Sequence, residues 1–187
     1  GIAVAYDTHA AALYGYCHWI LQQPADAAEA LKNAFVIAVA TLDLLPETPK
    51  LRPWLYAVAR DECLRRLRAE PGAHRAEADA AGHPAAAADR PADVSRDTGR
   101  AELATMIRVI LAELKPRERE VLELSLRHDL YGADLATVLG VSWSRAHALA
   151  ARARGRLEKA LGALLIAYTG REACPTLDTL LADWDGQ

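Results

Sequence analysis

Apolar residues recur along this chain at the three- and four-residue intervals of amphipathic α-helices, and no segment alternates as a strand would. In the N-terminal part this spacing predicts one helix over residues 6–22 and another over 53–68. A helix between them is expected to begin at Asp26 and reach about Leu42, because Asp26 and Glu29 have the spacing of a capping box. The predicted core positions of these helices are Leu13, Tyr16, Cys17, Ile20, Leu31, Phe35, Val36, Val39, Trp54, Leu55, Val58 and Leu64.

A change of composition divides the chain. Residues 69–100 contain three Pro, three Gly and many Ala, with scarcely any large apolar residue. Such a segment buries too little surface to offset its ordering entropy, so a flexible linker is predicted there. It separates a helical domain at 1–68 from a second one at 101–168. Residues 169–187 form a C-terminal extension with the pattern of a short acidic helix. The predicted fold class is all-α, with two small helical domains.

Residues 134–157, which read DLATVLGVSWSRAHALAARARGRL, have the spacing of a helix-turn-helix. Gly140 is free to take the positive φ that ends the first helix, and Ser142 is suited to cap the second. In such motifs the first turn of the second helix meets base edges, and later cations meet phosphates. The residues expected at DNA are Ser142, Trp143, Ser144, Arg145, His147, Arg152 and Arg154. The alternative is a surface helix whose arginines are merely solvated.

The net charge of −3 does not by itself suggest a nucleic-acid partner, but the charges are unevenly distributed. Residues 101–168 carry 10 Lys or Arg against 8 Asp or Glu, whereas residues 169–187 carry 1 against 4. Because phosphate neutralisation supplies most non-specific affinity, a protein this weakly basic is expected to bind DNA weakly on its own.

Other chemistry finds little support in the sequence. The cysteines Cys17, Cys63 and Cys174 are far apart and no CxxC is present, so neither a disulfide framework nor a metal site is predicted. The chain has no Gly-rich phosphate loop, nucleophile elbow or clustered carboxylates, so we expect no catalytic residue and no cofactor. No apolar run reaches the roughly 18 residues of a membrane span, and no signal peptide is visible. A cytoplasmic protein that is not an enzyme and has no membrane partner is expected.

Two longer motifs stand in a fixed order along the chain. The first, LRPWLYAVARDECLRRLR, ends the N-terminal domain. The second, LAELKPREREVLELSLRHDLYGADLATVLGVSWSRAHALAARARGRLEKAL, contains the helix-turn-helix. With these motifs the chain resembles the extracytoplasmic-function (ECF) group of bacterial RNA polymerase sigma factors. Two such motifs in this order are far more specific than a helix-turn-helix alone.

The resemblance implies a role for each domain. Residues 1–68 would correspond to sigma region 2, which docks on the beta-prime clamp of the RNA polymerase core and opens the minus-ten promoter element. Residues 101–168 would correspond to region 4, which meets the beta flap and reads the minus-thirty-five element of promoter DNA. An anti-sigma factor is a further implied partner. The residues implied at minus-ten DNA are Arg52, Trp54, Arg60, Arg65, Arg66 and Arg68, and those at polymerase are Glu29, Lys32 and Asn33. Arg60, Arg65, Arg66 and Arg68 are expected on the outward helix face, where the alternative is a solvated row paired with Asp61 and Glu62.

Several residues depart from the family pattern. Lys32 and Asn33 stand where a Gln-Glu pair is usual on the clamp-binding helix, and Asp61 replaces an Asn beside the DNA path. In the recognition helix, the family commonly has Thr, Lys and Arg where this chain has Arg145, His147 and Leu149. The leading function is thus an ECF sigma factor, with a sigma-like regulator or adaptor that has lost independent promoter reading as the alternative.

Three roles stay open at the level of sequence. Trp54 is expected either to pack in the core or to stack on an unpaired base. Trp143 would either cover a thymine methyl group or pack against another part of the protein. The acidic extension would either mask a basic surface or cap the core of the second domain.

Overall fold

The computed structural model describes residues 2–42, 50–69, 107, 108 and 110–180. Within these residues all regular structure is helical and no strand occurs, so the all-α prediction is confirmed. The predicted linker lies, except for Ala69, outside the described residues, as does the end of the C-terminal extension.

Three long helices build the N-terminal part: α1 (Ile2–Leu21), α2 (Pro24–Leu42) and α3 (Leu51–Ala69). Each of them packs against the other two. The largest fully buried side chains include Leu13, Tyr16, Leu55 and Tyr56, together with the thiols of Cys17 and Cys63. Of the apolar stripe predicted on the first helix, Leu13, Tyr16 and Cys17 therefore lie in the core, and Ile20 is half-buried.

The same compact unit includes Leu124–His147. This segment contains most of a π-helical turn (Glu123–Arg127), the short helix α5 (Gly132–Leu139) and the start of α6 (Trp143–Ala173). Helix α3 packs against α5, and four apolar residues of α5 are buried, namely Leu135, Ala136, Val138 and Leu139.

A second compact unit contains the described residues 107, 108 and 110–123, together with those from Ala148 onward. Its elements are α4 (Pro116–Leu122), the greater part of α6, and α7 (Pro175–Leu180). Pro116 opens α4, where a missing N–H costs nothing. The Glu118 carboxylate accepts a hydrogen bond from the Lys115 N–H at 3.2 Å and another from Arg156 at 2.7 Å. Glu118 therefore ties the start of α4 to α6.

Two expectations for α2 are wrong. The helix begins at Pro24, and the Ala27 N–H donates to the Gln23 carbonyl at 2.9 Å, so Asp26 lies inside the first turn rather than at the cap. Proline is suited to the first helical position, which places the start of the helix ahead of Asp26. Val36 and Val39, expected in the core, are 62% and 53% exposed. The buried face of α2 instead follows a narrower line through Ala27, Ala30, Leu31, Ala34, Phe35 and Ala38.

The outward orientation expected for Arg60 is also wrong, since this side chain is buried. Arg60 lies four residues after Tyr56 and three before Cys63, which are both buried on α3. A helix presents such positions on one face, so Arg60 shares the core face with them.

Candidate nucleic-acid interface

The turn between α5 and α6 has the geometry of a helix-turn-helix. Gly140 ends α5 with φ +62° and ψ +38°, the left-handed conformation that favours glycine. Its N–H donates to the Thr137 carbonyl at 3.2 Å, and the Val141 N–H donates to the Ala136 carbonyl at 3.1 Å. These bonds satisfy carbonyls that the end of a helix would leave unpaired. The sequence prediction of a helix end at Gly140 is confirmed.

Ser142 begins the second helix as predicted. Its hydroxyl oxygen accepts a hydrogen bond from the Arg145 N–H at 3.4 Å, and its carbonyl accepts one from the Ala146 N–H at 3.0 Å. A serine at this position typically stabilises a helix by about 1 kcal/mol. The cap fixes the direction in which the first turn of α6 projects from the turn.

The side chains at the start of α6 face solvent. Those exposed are Ser142, Trp143, Ser144, Arg145 and His147, whereas Ala146 between them is fully buried. Farther along the helix Arg152 and Arg154 are exposed, and Ala153 is buried. The buried face of α6 therefore consists of small alanines at these positions, and the side chains expected to contact DNA lie on its exposed face.

Trp143 and His147 form a stacked pair on this surface. Their ring centroids are 5.3 Å apart, with 24° between the ring planes. The indole stays 58% exposed. Its Nε1 atom lies 3.7 Å from the point where a Cβ would stand on Gly132, the first residue of α5. The indole therefore stacks on His147 and has its Nε1 edge beside Gly132, while more than half of it faces outward.

At the start of α3 and just before it, two cations near the expected minus-ten surface have protein partners. The Arg52 guanidinium donates a hydrogen bond to the His128 carbonyl. The Lys50 ammonium lies 2.9 Å from the Asp134 carboxylate on α5. The contacts that the start of α3 makes with α5 and with the segment preceding α5 therefore occupy both cations.

His128 is the centre of that contact, and the sequence offered no signal for it. Its ring is 5% exposed and Nδ1 lies 2.9 Å from the Tyr56 hydroxyl. The Tyr16 ring approaches edge-on, with centroids 5.7 Å apart. Burial, followed by the charges of Arg127 and Arg52, lowers the pKa of His128 to about 4. The imidazole is therefore neutral at physiological pH.

A second cluster centres on the buried carboxylate of Glu62. Arg65 donates to it at 2.8 and 2.7 Å, Arg66 at 3.0 Å and Asn33 at 3.1 Å. The hydrogen bond from Arg65 is the main reason why the pKa of Glu62 is lowered to about 2. Arg66 also lies 3.8 Å from both Asp26 and Glu29, and its side chain is only 18% exposed.

The structure thus separates the residues expected at minus-ten DNA. Arg68 and the Arg65 side chain are exposed, and Arg52 and Trp54 are half-buried. Arg66 is largely enclosed by carboxylates and Arg60 is buried. They do not form one continuous exposed row. Glu62, which arranges two of them, was expected only as a partner on a solvated face, because its burial and its contact with Asn33 of α2 depend on how the helices pack.

An apolar groove runs between α1 and α2 and encloses about 390 Å³. Tyr6, Leu31, Phe35, Val36 and Val39 are among its lining residues. Lys32, one of the residues expected at polymerase, also lines this groove, and its ammonium lies 3.9 Å from the Glu29 carboxylate. Of the other two, Glu29 is exposed, and Asn33 is turned toward Glu62.

No group of three or more potential metal ligands occurs within the part of the chain that the structure describes. Cys17 and Cys63 are buried free thiols, and their mutual hydrogen bond together with burial raises the pKa of Cys63. None of the described helices is both long and apolar enough to cross a bilayer.

Comparisons with known proteins agree with this geometry. The family model of sigma-70 region 2 matches residues 5–71, and that of sigma-70 region 4 matches residues 110–159. No curated protein matches the sequence. The chain shares its fold with the sigma factor RpoE in complex with the anti-sigma factor NepR from Bartonella quintana. That match has a TM-score of 0.61 and 18% identity, and covers 86% of this chain and 96% of that one. CnrH in complex with the cytosolic domain of CnrY matches with a TM-score of 0.57 and 20% identity, covering 87% and 88%.

Proposed function

Because this chain belongs to the sigma-70 family, with regions 2 and 4, we propose that it is a sigma factor of the ECF type and directs core RNA polymerase to specific promoters. Region 2 would occupy 1–68 and open the minus-ten element, and region 4 would occupy 101–168 and read the minus-thirty-five element. Residues 69–100 would link them, and 169–187 would be an extension. The observation that carries the proposal is the capped helix-turn-helix inside the region 4 match, with its first turn exposed.

The polymerase would supply the chemistry, and this protein would supply recognition without being an enzyme. On region 2, the exposed apolar groove between α1 and α2, with Lys32 among its lining residues, is suited to dock on the beta-prime clamp. Desolvation of an exposed apolar surface of this kind is a common source of binding energy between proteins. On region 4, contact with the beta flap is part of the same proposal. The site of action would be the cytoplasm.

An anti-sigma factor is the proposed regulator. This part of the proposal is supported by the likeness to RpoE, whose structure was solved in complex with the anti-sigma factor NepR. A partner that covers the groove or the first turn of α6 would block the surfaces proposed for polymerase and promoter.

The alternative is a sigma-like regulator that works through protein contacts alone. One observation favours it, namely that Lys50 and Arg52 are already paired with Asp134 and with the backbone at His128. Cations held in this way are withdrawn from DNA phosphates.

In vitro transcription separates the two functions. Core polymerase is combined with the full chain and a library of random promoter sequences, and the transcripts are sequenced. A sigma factor yields transcripts that share an upstream and a downstream element at fixed spacing. Co-purification with core polymerase, without any specific transcript, would instead support the adaptor.

A further inference from the structure

The start of α6 carries an apolar surface in a place where the family match leads one to expect polar base contacts. Trp143 is the first residue of α6, and His147 follows one turn later on the same flank. The two rings stack, and more than half of the indole remains exposed. The exposed part of this tryptophan does not contribute to the stability of the core, so its surface is available for a ligand.

The orientation of the indole decides what kind of ligand suits it. Nε1 is the only hydrogen-bond donor of tryptophan, and it lies beside Gly132, 3.7 Å from the point where a Cβ would stand. One face of the ring system is covered by His147. The part that faces outward is therefore mainly carbon, and it offers van der Waals contact rather than a hydrogen bond.

The major groove of DNA presents one apolar feature, the C5-methyl group of thymine. The first turn of a recognition helix is the part that meets base edges in a helix-turn-helix complex. We propose that the Trp143–His147 stack selects a thymine in the upstream promoter element by packing against its C5-methyl group. This inference rests on the proposed function and names the chemistry by which region 4 would choose one of its bases.

In this proposal Trp143 makes the contact and His147 is a positioning residue. The imidazole ring limits the rotation of the indole, so less conformational freedom is lost when DNA binds. Gly132 leaves room for the Nε1 edge of the indole, since a Cβ at this position would lie 3.7 Å from that atom. The two stacked rings together form a preorganised apolar contact.

Replacing thymine with uracil tests the proposal directly, because uracil keeps the same base pair and lacks only the methyl group. Holoenzyme is assembled from core polymerase and the full chain, and a promoter is taken from the transcription library. Each thymine of its upstream element is replaced by uracil in turn, and affinity is measured by competition. At one or two positions uracil is expected to weaken wild-type binding about three- to fivefold, the worth of one buried methyl group.

The variants show whether the stack is responsible. Trp143→Ala is expected to bind thymine and uracil duplexes equally at those positions. His147→Ala is expected to reduce the difference, and His147→Phe, which keeps an aromatic partner, to restore it. Arg154→Ala is the matched control on the same helix, because it should weaken binding while leaving the thymine preference intact.

Each outcome has a distinct meaning. The inference would be overturned if the protein gave specific transcripts but its promoter affinity did not change with uracil at any position. It would also be overturned if the upstream element contained no thymine. Both results would leave the proposed sigma function intact. Retention of the wild-type preference in Trp143→Ala would overturn it as well. If no promoter yields a specific transcript, the proposed function fails and the inference fails with it.

Discussion

The hydroxyl of Tyr56 on α3 lies 2.9 Å from Nδ1 of His128, a residue 72 positions later in the chain. This hydrogen bond lies in the buried core of the contact between region 2 and the segment leading into the helix-turn-helix. Because both side chains are almost fully buried, water cannot readily replace either partner in this hydrogen bond. Burial of the imidazole therefore connects its protonation to the stability of the contact.

Stability is expected to fall in mild acid because of His128. Its pKa is about 4 in the folded protein and about 6.5 in the unfolded chain, so between these values only the unfolded chain takes up the proton. The free energy of unfolding should drop by up to about 3 kcal/mol as pH falls from 6.5 to 4. Urea titrations at several pH values measure this, and His128→Gln should have a flatter pH profile.

Tyr56→Phe is the matched control for that experiment. It removes the hydroxyl and leaves the imidazole buried, so it should cost about 1 kcal/mol at pH 7 while keeping the wild-type pH dependence. An equally steep profile in His128→Gln would show that some other group causes the acid sensitivity.

Sequence could predict the helix-turn-helix but not this contact, for a physical reason. The turn is specified by neighbours in the chain, since Gly140 and Ser142 act on backbone groups only a few positions away. His128 lies outside any helical pattern, and its partners come from α1 and α3. Periodicity likewise predicted a wide buried face for α2. Only the packed structure shows that Val36 and Val39 lie outside the part of α2 that other helices cover, and are exposed.

Glu62→Gln should destabilise the protein by about 2 kcal/mol at pH 7, because three side chains donate hydrogen bonds to the buried carboxylate. The pKa of Glu62 is lowered to about 2, so its stabilising effect is complete above pH 4.5 and is lost as pH falls toward 2. The variant should lack this acid-dependent loss. Asp61→Asn, at the exposed neighbouring position, is expected to change stability by less than about 0.5 kcal/mol. Equal effects of the two substitutions would contradict the role given to Glu62.

Two glycine substitutions are expected to have opposite signs. Gly140→Ala places a side chain at φ +62°, which costs on the order of 1–2 kcal/mol. Gly155→Ala lies inside α6 with open space around the new methyl group, so it should stabilise the protein by about 0.5–1 kcal/mol. Thermal denaturation of both variants measures the difference. A stabilising Gly140→Ala would mean that the turn does not have the geometry described.

Arg145 and Arg154 should differ in what they contribute to promoter binding. Arg145 lies in the exposed first turn of α6, where a bidentate contact to guanine is worth about 1–3 kcal/mol. Arg145→Ala should therefore relax discrimination at a single upstream base pair. Arg154→Ala should weaken all sequences alike and reduce the slope of log affinity against log salt by about 1. Binding assays over single-base variants at two salt concentrations compare them. The same loss of discrimination in both variants would argue against base reading by this helix.

The proposed role of the groove between α1 and α2 in binding polymerase can be tested by adding one charge to its lining. Val36→Glu should lower the affinity for core polymerase at least about tenfold, because docking would have to desolvate the new carboxylate. Val4→Glu is the control, since Val4 on α1 is about equally exposed but does not line the groove. Titration of labelled protein with core polymerase gives both affinities. An unchanged affinity in Val36→Glu would place the polymerase contact elsewhere.

The contact between α3 and α5 also limits how this protein can occupy a promoter. Elements centred about 25 base pairs apart are separated by about 85 Å along B-form DNA, whereas Lys50 of region 2 and Asp134 of region 4 lie 2.9 Å apart. Under the proposed function the described arrangement is thus a closed form, and spanning both elements requires these helices to part. Apparent promoter affinity then equals the intrinsic affinity multiplied by the open fraction. Any partner that stabilises the closed form would repress transcription without touching DNA.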